Sequence, residues 1–306
     1  MNQRPWLAYG YLAASMILVG SYVGLSRSLV AVFPIFLLAW MRFGLAAVAM
    51  LPWLKRPASE APLSPRDRVL LFWESFLGNF MFSICMLFGV AATSAVAAGV
   101  VMAGIPAAVA VLSRVWLGER IEPRVMAGIG CAVAGVAALA LVAAPAHGGA
   151  AGGASTAAAA PLWGYALLVA AVFCEASYVV IGKQLTGNVS PKRISALINL
   201  WGLALVTPFG IWQALSFNFP AVTLPQWGLL AFYALAASVI TVWLWMKGLL
   251  TVPAQQAGVF SVMLPLSATA VGVLLLGEPL GLGQVMALGL ALAGLVLATW
   301  PRKAGA

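Results

Sequence analysis

Two stretches decide the reading of this chain: PAAVAVLSRVWLGE at residues 106–119 and PLSATAVGVLLLGE at residues 265–278. They lie 159 positions apart, and each opens on a proline and closes on Leu-Gly-Glu. At the same ungapped shift Gly89 falls on Gly248 and Gly135 on Gly294. Ala and Gly matches carry little weight in so apolar a chain. A proline and a Leu-Gly-Glu triplet held at one common shift carry much more. Ser21-Tyr22-Val23 and Ser177-Tyr178-Val179 add a weaker match earlier in each half. The pattern is that of a duplicated unit.

Around these stretches the chain is apolar almost without interruption. Of its 306 residues 63% are hydrophobic and 8% charged, and the mean hydropathy is +1.04. A soluble domain carries about 25% charged residues, because water must wet its surface. Sixteen Lys and Arg with seven Asp and Glu cannot coat a 31.8 kDa globule. Lipid must be the main solvent, which excludes a soluble enzyme, a disulfide scaffold and a disordered chain. A net charge of +9 would suggest nucleic acid in a soluble protein. Here the bases stand singly between apolar runs and read as orientation signals, so no nucleic-acid partner is expected.

Crossing about 30 Å of hydrocarbon as a helix takes roughly 20 apolar residues. Such runs lie near 6–26, 33–54, 69–90, 95–117, 124–143, 163–182, 194–214, 226–247, 253–276 and 282–300. Arg27 follows the first run where a signal peptide would have a small-residue cleavage site, so that run reads as a membrane helix. Unbroken apolarity excludes the alternation of a barrel. The expected fold class is all-α, a polytopic membrane protein of ten transmembrane helices. An Ala/Gly-rich linker at 144–162 separates a first five-helix repeat, 1–143, from a second, 163–306.

Five is odd, so the second copy is expected to enter the membrane upside down. Lys and Arg favour the cytoplasmic side of short loops and test this. Lys55, Arg56, Arg66 and Arg68 follow the second run, while the matching connection after the seventh has no base. Arg114, Arg120 and Arg124 cluster around the end of the fourth run, and none follows the ninth. Arg27 is the only base after the first run; its counterpart after the sixth carries Lys183, Lys192 and Arg193. With both termini cytoplasmic, 14 of the 16 basic residues lie inside, Arg27 outside and Arg42 within the membrane. Inverted repeats around a central cavity suit alternating access, with a solute held near the midplane.

The chain also resembles the drug/metabolite transporter superfamily, EamA type. The likeness rests on Pro34 with Arg42-Phe43, on Pro106 and Pro265, and on the two Leu-Gly-Glu ends. It spans nearly the whole chain as two EamA-like units and is greatest to bacterial amino-acid exporters. The resemblance implies ten helices, cytoplasmic termini and a central cavity lined by the first, third, fourth, sixth, eighth and ninth helices. The second half has no counterpart of Pro34 or Arg42.

Ionisable residues at depth cost about 2.5–3.5 kcal/mol on insertion scales, so each needs a reason. Glu175 lies 12 residues into the sixth run, about 18 Å along the helix at 1.5 Å per residue. It is a candidate to meet a substrate ammonium or to carry a proton; a bond to neighbouring helices or to Arg42 is the plainer account. Arg42 is read as structural, Glu74 as reaching the cytoplasmic interface, and Glu119 and Glu278 as capping groups. Pro106 and Pro265 are expected kinks that free the carbonyls of Met102 and Ser261 for an ammonium, or simple packing kinks. Asn79 shares a helical face with Phe76, Ser83 and Met86, and Tyr22 one with Tyr11 and Ser15. Tyr178 is one turn from Glu175, and Trp245 shares the eighth run with Tyr233 and Thr241. The expected substrate-binding residues are Tyr22, Asn79, Ser83, Met102, Glu175, Tyr178, Trp245 and Ser261, with Pro106 and Pro265 as hinges. Trp6, Trp53, Trp163, Trp227 and Trp300 are expected as interfacial anchors.

Nothing marks catalysis: there is no GxSxG, no intramembrane His and no aspartate pair, Asp67 being the sole Asp. Cys85, Cys131 and Cys174 read as packing residues, His147 lies in the linker, and no metal, cofactor or nucleotide motif is expected. The expected function is export of amino acids, apolar, aromatic or broad in range, or of similar small metabolites across the bacterial cytoplasmic (inner) membrane. The alternative is export of lipophilic cationic drugs, with Glu175 as counter-ion. The expected partners are a small-molecule substrate and the bilayer, and homodimerisation is compatible with the sequence.

Overall fold

The computed structural model describes residues 5–30, 32–58, 60–92, 101–143, 162–264, 266–267, 270 and 281–300. Among the described residues there is no strand. The helices are α1 (Pro5–Val30), α2 (Ile35–Ala49), α3 (Pro65–Ser75), α4 (Phe82–Ala92), α5 (Ile105–Trp116), α6 (Pro123–Ala143), α7 (Leu162–Leu185), α8 (Pro191–Leu215), α9 (Leu224–Ala234), α10 (Thr241–Leu249), α11 (Ala254–Val259) and α12 (Leu282–Thr299). Between α3 and α4, and again between α9 and α10, the helix widens into a π turn, at Phe76–Met81 and Leu235–Ile240. Among the described residues Pro65–Met86, Leu162–Leu185, Pro191–Leu215 and Leu224–Leu249 are long and apolar enough to cross a membrane. The protein is an all-helical, multi-pass membrane protein.

Local chemistry accounts for where these helices begin and end. Pro65, Pro123 and Pro191 occupy first-turn positions, where the missing N–H has no intrahelical partner to lose. Ser64 caps α3 by accepting from Asp67 N at 3.1 Å, and Asp67 accepts in return from Ser64 N at 3.1 Å. Thr223 and Gln226 build the same box at the start of α9. At the far end of α5, Gly118 turns the chain with φ of 67°, a left-handed value that a Cβ disfavours.

Several of these features fall at the shift found in the sequence. α9 begins and ends 159 residues after α3, and the two π turns are separated by the same 159. So are the capping boxes, Ser64 with Asp67 and Thr223 with Gln226, and the starts of α6 and α12.

The chain packs as two compact units, each drawing on both sequence halves. Residues Met1–Phe80, Ile181–Val252 and Met263–Gly272 make the first; Met81–Val180, Pro253–Val262 and Val273–Ala306 make the second. In the first unit α2 crosses α8 and α1 crosses α10. Leu37 N, one of the donors a helix start leaves without an intrahelical partner, donates to Gln213 Oε1 at 2.9 Å. Trp40 Nε1 donates to Thr207 Oγ1 at 3.2 Å, and Asn199 Nδ2 to the Phe43 carbonyl at 2.9 Å. Partner numbers fall along α8 as they rise along α2, so the two helices run antiparallel. Ser15 Oγ donates to the Thr241 carbonyl at 2.9 Å and Gly248 lies against Leu12 and Ala8, which makes α1 and α10 antiparallel too. Interhelical side-chain bonds in membranes are worth about 0.6 kcal/mol each, so close packing must supply the rest.

In the second unit α6 and α12 pack along their lengths. A methyl group at Gly294 would come within 2.5 Å of Ala132 N and Gly128 O, and one at Gly135 would strike Ala291 and Ala287. Ala287 and Ala291 are the 159-shifted positions of Gly128 and Ala132, so each contact has its equivalent. At one end Gly128 meets Ala298, and Arg124 Nη1 donates to the Trp300 carbonyl at 2.6 Å. These helices also run antiparallel.

Three boundaries differ from the sequence reading. α2 stops at Ala49 and gives way to a 3-10 turn, Leu51–Leu54, because Pro52 cannot continue the ladder. The fourth run is broken by a turn at Ala103 and Gly104, with the Gly104 N–H donating to the Val101 carbonyl at 3.0 Å. The ninth run passes from α11 into a 3-10 turn, Phe260–Val262. Trp6, Trp163 and Trp300 are exposed as anchors would be. Trp53 and Trp227 instead pack into apolar clusters, Trp53 beside Met50 and Trp227 beside Phe33.

Candidate functional site

In the first unit, α2, α8 and both π turns border a half-open cavity of about 30 Å³, lined by Arg42, Phe43, Asn79, Ser195, Asn199 and Ser238 among others. Asn79 is the fourth residue of the turn Phe76–Met81, and Ser238 the fourth of Leu235–Ile240. A π turn lets a helix carry one extra residue and redirects the side chains it holds, which is why such turns recur at functional sites. The Arg42 guanidinium lies 4.4 Å from the Phe43 ring centroid and 5.7 Å from that of Tyr233. The rings meet the charge through their faces. Arg42 Nε, Asn199 Oδ1 and Ser238 Oγ are buried and make no hydrogen bond among the described residues. Buried polar atoms are nearly always bonded, so three around one cavity set this place apart.

Of the sequence-chosen residues in this unit, Asn79 lines the cavity and Trp245 is buried, its Nε1 without a hydrogen-bond partner. Tyr22 falls in α1, but its side chain lies outside the described part. Arg42, read as structural, is a wall of the cavity. Asn199 and Ser238 escaped the sequence reading, although the 159-residue shift applied to Asn79 points to Ser238. Glu74, expected at the cytoplasmic interface, is packed inside its unit. It is fully buried, with Oε1 only 2.8 Å from where a Cβ on Gly182 would stand, so the carboxylate fits because that residue is a glycine.

In the second unit Glu175 is half-buried on α7 and makes no hydrogen bond or ion pair among the described residues, and Tyr178 is half-buried one turn on. Ser83 is exposed within its unit, while Met102 and Ser261 are half-buried. Pro106 stands in the first turn of α5, just after the break at Gly104, so it starts a helix where a kink within one was expected. Pro265 and Glu278 lie outside the described residues. Glu119 does cap, but across the unit: its carboxylate accepts from Ala254 N at 3.0 Å and Gln255 N at 3.3 Å, at the start of α11. Gln255 Nε2 returns a bond to the Arg120 carbonyl at 3.1 Å. Cys85 and Cys174 are buried, Cys131 is half-buried, and all three are free thiols.

Residues 6–141 and 162–300 match the profile described as the EamA-like transporter family. The uncharacterized transporter YetK of Bacillus subtilis (strain 168) is 35% identical over 273 residues, covering 89% of this chain and 80% of that one. YcbK, an uncharacterized transporter of the same organism, is 33% identical over 128 residues, 41% of this chain and 40% of its own. A solved crystal structure superposes with a TM-score of 0.75 over 97% of both chains at 20% identity, a likeness of fold alone.

Proposed function

The chain belongs to the EamA-like transporter family, and we propose that it exports amino acids or similar small metabolites by alternating access. It is a membrane transporter of a small-molecule substrate, not an enzyme. The remainder is our reading. Ten spans form two repeats, 1–143 and 163–306, joined by the linker 144–162 and inverted across a bacterial inner membrane with both termini cytoplasmic. The antiparallel α6 and α12, which touch through equivalent residues, support inversion: a two-fold axis perpendicular to a pair of helices turns one end over end relative to the other. In such a pair each repeat can adopt the other's conformation, so that an inward-open carrier becomes an outward-open one.

One observation carries the functional reading. Asn79 and Ser238, equivalent residues of the two repeats, face one cavity beside Arg42. A transporter of this architecture is expected to hold its solute where the repeats meet. Polar groups set among Phe43, Ile198 and Val242 suit the charged end of a small solute. Glu175 we assign to a substrate ammonium, with the break at Gly104 and Pro106 as a point about which the fourth run can rock.

Counterflow in proteoliposomes tests the reading, with a labelled amino-acid panel at two pH gradients. Exchange above empty liposomes is expected, with loss of at least about tenfold in Glu175→Gln. Absence of flux across the panel would defeat it.

A further inference from the structure

We propose that Arg42, Ser238 and Asn199 form a binding site for a small monovalent anion, a halide or a carboxylate group, in the cavity beside the two π turns. Arginine stays protonated in proteins, so Arg42 is a permanent charge halfway along an apolar helix. The faces of Phe43 and Tyr233 attract that charge, but a ring face cannot accept the in-plane Nε–H as an oxygen or a halide would. No carboxylate lines the cavity among the described residues. Ser238 Oγ makes no hydrogen bond, although a helical serine ordinarily finds a carbonyl one turn back. Two buried donors therefore line one small space, each without a hydrogen bond among the described residues.

The third wall sets the charge of the ligand. Asn199 uses its Nδ2 on the Phe43 carbonyl at 2.9 Å, which leaves Oδ1 to the cavity as an acceptor. Two donors and one acceptor suit a monoanion with an attendant water, and the acceptor repels a dianion. Size agrees. A space of about 30 Å³ holds roughly two water-sized bodies, one needing about 10–15 Å³. That admits chloride with a water, or a carboxylate head. The site does not depend on which solute is carried: an anion bound here neutralises Arg42 and ties α2 to α8 and to the π turn that carries Ser238.

The test is thermal unfolding of the full-length protein in nanodiscs, in sodium chloride, formate, phosphate and isethionate (a bulky sulfonate that carries no carboxylate) at equal ionic strength. A saturable rise of about 2 °C or more over isethionate is expected in chloride or formate, and no saturable rise in phosphate. A rise in chloride identifies a free halide as sufficient, and a rise in formate alone identifies a carboxylate; either sustains the proposal. Arg42→Met should abolish the rise. Should that variant fail to fold, Ser238→Val, which fills the cavity and removes a donor, should abolish it as well. Equal midpoints in all four salts, an equal rise in phosphate, or a rise undiminished in the variants would overturn the proposal.

Discussion

Asn79 and Ser238 stand 159 residues apart in the chain, hold the same fourth place in the two π turns, and line one cavity. Two positions related by the 159-residue shift thus line a single small space. Residues that share a cavity couple energetically, whereas distant ones add. In transport assays Asn79→Ala and Ser238→Ala should each raise the apparent KM, and the double variant should raise it by less than the product of the two. A coupling of about 0.5–3 kcal/mol is expected from such a cycle. Strict additivity would separate the two residues functionally.

Close approach of α6 and α12 depends on Gly135 and Gly294, where a side chain has no room. Overfilling a packed contact costs about 1–3 kcal/mol. Gly135→Val and Gly294→Val should each lower the thermal midpoint of the purified protein by several degrees. Gly130 lies on the same helix with open space around its Cβ position, so Gly130→Val serves as the control and should change little. Equal losses at all three positions would point to helix propensity as the cause, in place of the crossing.

The Glu119 carboxylate meets the first two donors of α11. Hydrogen bonds to a charged group contribute about 1.5–3 kcal/mol. Glu119→Ala should lower the thermal midpoint and allow faster proteolysis near Thr251 and Val252, while Glu119→Gln, which keeps one acceptor, should lose less. Equal stability of the alanine variant and the parent would show that α11 needs no cap from this side chain.

The apolar runs and the shift of 159 were legible in the sequence because lipid imposes a long, unmistakable pattern and prolines are costly to keep by chance. Glu119 was legible as a cap, but not the helix that it would serve, since that partner lies 135 residues away. Pro106 announced a disturbed helix. Whether it bends one helix or begins another depends on the turn at Gly104, which no local rule assigns. The burial of Glu74 was illegible for a different reason: it depends on the missing side chain of Gly182 across the unit, a fit between distant residues. Asn199 gave no signal at all, being one polar residue in a helix whose register against α2 only the fold reveals.

The inversion of the two repeats is the premise on which alternating access rests, and equivalent loops test it directly. Ala58, beside Lys55 and Arg56, and Asn218 lie exposed in the connections after the second and seventh runs. With Cys85, Cys131 and Cys174 replaced by Ala, Ala58→Cys and Asn218→Cys are treated in intact cells with a membrane-impermeant maleimide. The account predicts labelling of the Asn218→Cys variant from outside and of the Ala58→Cys variant only after the membrane is opened. Labelling of both from the same side would contradict it.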